Sequence, residues 1–167
     1  MVTSLVTSIR AHRGLISSIE LNIPNTLYLV PWHSDWNDFC EFRVFVHEGR
    51  VTCFSQYVWS RDVGWNRVNM EIVAPRIVDY CNDHVITNFT LVNSFVVDLI
   101  VIVKNPVLSH ENKISIITSD TDFTIELVEL NSFGSHLASG AALFHWLNDN
   151  DTIYGVEDKI VARYVEG

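Results

Sequence analysis

Between Cys40 and Tyr57 the chain alternates, turns and alternates again, and no other stretch narrows the fold so far. Residues Cys40 to His47 place Phe42, Val44 and Val46 at every second position, Glu48-Gly49 supplies a two-residue turn, and Arg50 to Tyr57 resumes the period of two. That pattern predicts a β-hairpin: successive side chains of a strand leave opposite faces, and glycine takes the backbone conformation a tight turn requires. With Glu48 and Gly49 as the turn, His47 faces Arg50, which sets Arg43 opposite Phe54 and Glu41 opposite Gln56. Glu41, Arg43 and Gln56 then share one polar face, while Phe42, Val44, Val46, Val51 and Cys53 cover the other. Such a face is used by a ligand or only by its own salt bridges. A charge lying there adds little to core packing, so Arg43→Ala is expected to leave the fold almost unchanged.

The rest of the chain reads as short runs of Val, Ile, Phe and Tyr with few helical stretches, which predicts an α+β fold built on a mainly antiparallel sheet. Strands are expected over Thr26 to Trp32, ending or bending at Pro31, over Ser94 to Val103, Phe123 to Asn131 and Ile160 to Val165, with a short extra strand at Ile114 to Thr118. Helices are expected from about Pro75 to His84, with Ile77, Val78 and Cys81 facing the core, and over Ser139 to Leu147. Residues 1–25 form a short N-terminal segment and residues 26–167 one lobe.

Charge and cysteine usage exclude several function classes. With 20 acidic against 11 basic side chains the formal charge is -9, a field that repels nucleic-acid backbones. ATP remains compatible with it, because Mg²⁺ carried on carboxylates makes a locally acidic site an acceptor for triphosphate. The three cysteines are odd in number and lack C-x-x-C spacing, so neither a disulfide framework nor a thiolate zinc site is expected. The longest apolar run, Phe95 to Val103, is interrupted by Asp98 and too short to span a bilayer, and the first residues lack an unbroken apolar stretch. The sequence reads as soluble and cytoplasmic, with no membrane partner. It carries neither a G-x-S-x-G elbow nor a Walker A lysine motif, and its histidines lack metal spacing.

One constellation does carry chemistry. On the strand ending at Asn131, Glu129 and Asn131 share a face roughly 6–7 Å apart. Asp98, inside FVVDLIVIV, is a carboxylate in an apolar run, where an unpaired charge costs several kcal/mol unless a cation or donor meets it. Together the three would make an oxygen-only site suited to Mg²⁺. The alternative reading is that Asp98 caps a local turn or meets an arginine.

The segments EFRVFVHEGRVTCFSQY (41–57), SFVVDLIVI (94–102) and VELNSFG (128–134), in that order, resemble the signature blocks of the cell division cycle protein 123 family, whose fold is of the ATP-grasp type. TLYLVPW (26–32) resembles its inter-lobe hinge, and ALFHWLND with KIVARYVEG its closing helix and strand. The resemblance implies that residues 26–167 correspond to the C-terminal lobe of an ATP-grasp protein. It implies that Asp98, Glu129 and Asn131 hold Mg²⁺, that Arg43 contacts the phosphates as the catalytic residue, with Gln56 beside it, and that Leu29 and Val30 of the hinge line the nucleotide site. The chain departs from the family in having Glu129 for an aspartate and Ser132 for a proline, and residues 103–121 resemble an insertion.

Two function classes follow from the resemblance. One is an ATP-dependent ligase joining a carboxylate to an amine, and the other a non-catalytic module acting as an assembly factor for a translation initiation factor. Only about 25 residues precede the hinge, with Arg10 and Arg13 but no lysine, so the expectation is that the lobe clamping ATP from the other side is lost, or is supplied by a companion chain, or that the protein is a trimmed form that binds something else.

Overall fold

A computed structural model of the chain describes residues 9–24, 26, 33–34, 36–104, 114, 117–118, 120–137 and 139–166. The chain divides into two compact units, Met1–Ser34 and Asp35–Gly167. Within the first, helix α1 spans Ile9–Glu20. It ends where Asn22 takes a positive φ of 51° and the amides of Leu21 and Ile23 close back on the carbonyls of Ser17 and Ser18. Asparagine tolerates that left-handed conformation better than most residues, and it is a common helix stop.

The second unit is organised by a five-stranded sheet in the order β4-β3-β1-β2-β5. Its strands are β1 (Glu41–His47), β2 (Arg50–Gln56), β3 (Phe95–Val103), β4 (Phe123–Ser132) and β5 (Val161–Arg163). All pairings are antiparallel except β2 with β5. With helices α2 (Arg67–Tyr80) and α3 (Asn150–Ile153), the α+β, mainly antiparallel reading holds. No helix among the described residues is long and apolar enough to cross a membrane.

The hairpin forms where the alternation places it, with Glu48 at φ 50° and Gly49 at φ 76°. Its register differs from the expected one beyond the first two pairs. A bulge lies between Phe45 and Val46, so Cys53 pairs with Phe45, Ser55 with Arg43 and Gln56 with Phe42. The extra residue, Thr52, turns its hydroxyl to the Phe45 and Ile153 carbonyls. One inserted residue exchanges the faces of everything beyond it. Gln56 therefore leaves the Arg43 face, and Cys53 joins it.

Both sheet faces are covered, which is why β3 reads as a continuous apolar run. On one face Phe42, Val44, Phe54, Val97 and Leu99 pack with Trp65 and with Met70, Val73 and Ile77 of α2. Fully burying side chains of this size stabilises by roughly 1.5–3 kcal/mol each. On the other, Phe45, Cys53 and Val96 pack with Phe144 and Ile153, and Phe133, Trp146 and Tyr154 lean on them. All three cysteines are free, and burial pushes their thiols up to about 12.

Helix α2 begins eight residues before Pro75, because Asn66 caps it by accepting from the Asn69 amide. Pro75 sits mid-helix on the exposed side, where water can meet the carbonyl that its missing N–H leaves without a donor. A π-helical turn, Cys81–Ile86, continues it, and Ile77 and Cys81 face the core as expected. The stretch from Ser139 to Leu147 is built of turns rather than a helix, and the helical residues come later, at Asn150–Ile153. Its apolar residues, Phe144 among them, fill the second core layer from irregular backbone. Of the strand expected at Ile114 to Thr118, the described residues are not in a strand. The stretch Thr26 to Trp32 lies outside the described residues apart from Thr26, which is not in a strand.

Candidate functional site

Three neighbouring strands carry the site. Arg43 on β1 pairs in register with Asp98 on β3, and Asp98 with Glu129 on β4. Cross-strand partners lie on the same sheet face about 5 Å apart, so the three charged side chains form a row. Asn131, opposite Val96, adds a fourth group one pleat along.

Asp98 is fully buried and Arg43 is 6% exposed. Arg43 grips the carboxylate at two points, Nε to Oδ1 at 2.8 Å and Nη2 to Oδ2 at 2.7 Å. Its remaining terminal nitrogen, Nη1, donates to the Gly140 carbonyl at 2.7 Å, and the guanidinium lies 4.8 Å from the centre of the Tyr57 ring. Asn131 Nδ2 donates to Asp98 Oδ2 at 3.0 Å and to Glu129 Oε1 at 2.9 Å. The reading in which Asp98 meets an arginine is therefore realised, and so is the convergence of Asp98, Glu129 and Asn131. The expectation that Arg43→Ala leaves the fold almost unchanged does not fit this burial, because the strand register sets Arg43 against the buried Asp98.

The electrostatics follow from burial. Burial pushes the Asp98 carboxyl above its ordinary value, and the Arg43 fork only partly offsets it. Burial alone would lower Arg43, but the hydrogen bonds and charge of Asp98 outweigh it, and the guanidinium is held protonated. Three hydrogen bonds onto the two Asp98 oxygens favour its ionised form. Glu41, two residues before Arg43 on the same face, is pushed up to about 7, by burial first and then by the Asp98 charge. Glu41, Asp98 and Glu129 thus set three carboxyl groups around one guanidinium.

The donor chemistry suits a hard divalent cation. Among the described residues no group of three His, Cys, Asp or Glu side chains gathers as a metal cluster, because the third member here is an amide. Asp98, Glu129 and Asn131 offer oxygens only, the set that Mg²⁺ prefers. Asn131 turns its nitrogen toward the two carboxylates, and a half-turn of the amide presents its oxygen instead.

Gln56 does not join this group. It lies on the opposite face, where its amide nitrogen donates to the Val58 and Arg61 carbonyls and its oxygen accepts from the Val165 amide, so it pins the loop after β2 and the last residues of the chain. Leu29 and Val30 lie outside the described residues. Sequence reasoning assigned no role to Tyr57 or Gly140. Tyr57 ends the hairpin beside Arg43 and could have been found from its place in the pattern, whereas nothing in the sequence marks Gly140 as the carbonyl that meets Arg43.

A family model described as D123 matches residues 14–166. Among solved structures, C-terminally truncated Cdc123 from Schizosaccharomyces pombe matches with a TM-score of 0.51 at 18% identity, covering 90% of this chain and 50% of that one. Cdc123 from the same organism matches with a TM-score of 0.53 at 16% identity, covering 96% of this chain and 58% of that one. At these identities the likeness is one of fold, and the chain spans 50–58% of the length of the structures it matches. No curated protein matches it in sequence.

Proposed function

The chain belongs to the D123 family, and from that premise we propose that it is an ATP-grasp-like module that binds Mg²⁺ and ATP over the face formed by Arg43, Asp98, Glu129 and Asn131. The observation that carries this reading is the register of β1, β3 and β4, which aligns oxygen ligands and a guanidinium on one sheet face. A purely structural ion pair needs one carboxylate. Here Glu41 and Glu129 stand beside Asp98 as well, and a divalent cation would offset the repulsion among them.

In this reading Asp98, Glu129 and Asn131 hold the metal through oxygen. When bound, Mg²⁺ neutralises phosphate charge and polarises the terminal phosphoryl group. Arg43 uses three of its five N–H groups on Asp98 and Gly140, so one on Nη1 and one on Nη2 remain for a phosphate oxygen. Tyr57 and Gly140 hold the guanidinium in place. Gln56 stays with the loop it pins.

Binding is favoured over catalysis by the chain alone. The described lysines, Lys104 and Lys159, form surface ion pairs with Asp122 and Glu157 rather than with the row. A ligase activity, activating a carboxylate for attack by an amine, would draw further cations from residues not described here or from a companion chain. Calorimetric titration with Mg·ATP, and with ATP in excess chelator, tests the reading. Saturable binding that requires the metal supports it, and absence of binding at millimolar nucleotide overturns it.

A further inference from the structure

We propose that Arg43 is a resident cation that a divalent metal displaces: it holds Asp98 while the site is free, and swings onto phosphate when the metal takes Asp98, so that metal and polyphosphate bind as a coupled pair. The proposal rests on the Mg–ATP reading and adds to it an order of dependence between the two ligands.

The geometry shows the competition. A carboxylate has about four lone-pair positions, and Arg43 takes one on each Asp98 oxygen while Asn131 takes a second on Oδ2. The position this leaves is on Oδ1, and a divalent ion seated there must approach to about 2.1 Å, beside the Arg43 Nε that donates to the same oxygen at 2.8 Å. The two cations repel, and the buried carboxylate does not serve both with full strength.

Arg43 is also built to move a short way without leaving. Its Nη1 is tied to the Gly140 carbonyl and its Cζ lies over the Tyr57 ring, both contacts apart from those to Asp98. Tilting about them frees Nε and Nη2 from Asp98 while keeping the guanidinium over the Tyr57 ring. Metal alone would then leave a 6%-exposed guanidinium without its carboxylate. Polyphosphate alone would meet three carboxyl groups, Glu41, Asp98 and Glu129, and an arginine whose charge Asp98 already offsets and which has two N–H groups open. Each ligand removes the cost of the other, which is positive coupling.

The test uses Mn²⁺ as the metal probe, with its binding to the full chain followed by electron paramagnetic resonance, beside calorimetry with Mg·ATP. In Arg43→Gln, and in Arg43→Lys whose single ammonium cannot fork, Mn²⁺ alone should bind about tenfold tighter than to the native chain, while Mg·ATP binds about tenfold weaker. A role in folding alone would move both affinities the same way. If the variants lose both ligands together, or Mn²⁺ binding stays unchanged, the displacement is wrong even though Mg·ATP still binds the native chain. If the native chain binds no Mg·ATP, the underlying reading fails as well. Should both variants misfold, the Arg43 ¹⁵Nε resonance of the native chain decides: it should shift with Mg·ATP and stay in place with ATP in chelator, and a resonance unmoved by Mg·ATP overturns the proposal.

Discussion

Arg43 and Asp98 meet as a two-point fork across β1 and β3, with Nε–Oδ1 at 2.8 Å and Nη2–Oδ2 at 2.7 Å around a carboxylate that has no exposed surface. Removing one partner of such a pair costs more than the pair is worth, because the other is left charged and dry. Arg43→Ala should therefore lower the unfolding free energy by about 3–5 kcal/mol, read from the midpoint of a urea transition. Adding Asp98→Asn to the same chain should recover a large part of that loss. A wild-type midpoint for Arg43→Ala would show that water reaches Asp98.

Gly155 makes a second, sharper demand on the fold. Its φ is +65°, and a Cβ there would stand 2.6 Å from Thr52 Cγ2, against the residue that forms the β2 bulge. Gly155→Ala combines that clash with a left-handed backbone and should cost about 2–4 kcal/mol. Thr52→Ser removes the methyl group and keeps the hydroxyl, so the double variant should regain more than half of the loss. Thermal unfolding of the three chains separates clash from backbone strain.

Glu41 gives the protein a pH dependence with a definite sign. Its ordinary value is 4.5 and the folded chain raises it to about 7. Between those values the folded state binds more protons than the unfolded one, so stability contributed by neutral Glu41 is complete below pH 4.5 and lost as pH rises through 7. Glu41→Gln, which cannot ionise, should raise stability at pH 8 relative to the native chain and change little at pH 4. Equal effects at both pH values would mean that Glu41 is solvated in the folded state.

How far the sequence could be read depends on how local each signal is. The hairpin, β3 and β4 were visible because their periodicity and turn residues act within a few positions, and so was the shared face of Glu129 and Asn131. The Arg43–Asp98 pair joins residues 55 positions apart, and only the strand order, which no local pattern encodes, sets β1 beside β3. The register past Val46 was missed for a different reason. Thr52 continues the alternation in the sequence, and its bulge is stabilised by the Ile153 carbonyl, about a hundred residues away. Helix α2 was placed late because Pro75 is a strong start signal, while the cap at Asn66 lies in a polar stretch that reads as loop. The turns between Ser139 and Leu147 bury Phe144 and meet Arg43 through Gly140 from irregular backbone, an arrangement without a period.

The metal side of the proposed site can be separated from its structural side, because Glu129 and Asn131 differ in what they hold. Glu129 is exposed on the edge strand, where it accepts a hydrogen bond from Asn131. Glu129→Ala should therefore change stability by no more than about 0.5 kcal/mol, as surface substitutions usually do. Asn131 also donates to the buried Asp98 Oδ2, so Asn131→Ala should cost about 1 kcal/mol of stability. Toward Mg·ATP the order reverses. Glu129 brings a formal charge to the ion, and losing a charged contact worth about 1.5–3 kcal/mol should weaken binding by roughly 10- to 150-fold. Asn131 brings a neutral carbonyl oxygen, and its loss should weaken binding by roughly tenfold or less. Calorimetry with Mg·ATP and urea unfolding on the same two variants would show opposite rankings if both residues ligate the ion. Nucleotide affinity unchanged by Glu129→Ala would remove that carboxylate from the site and leave the row of strands with a structural purpose only.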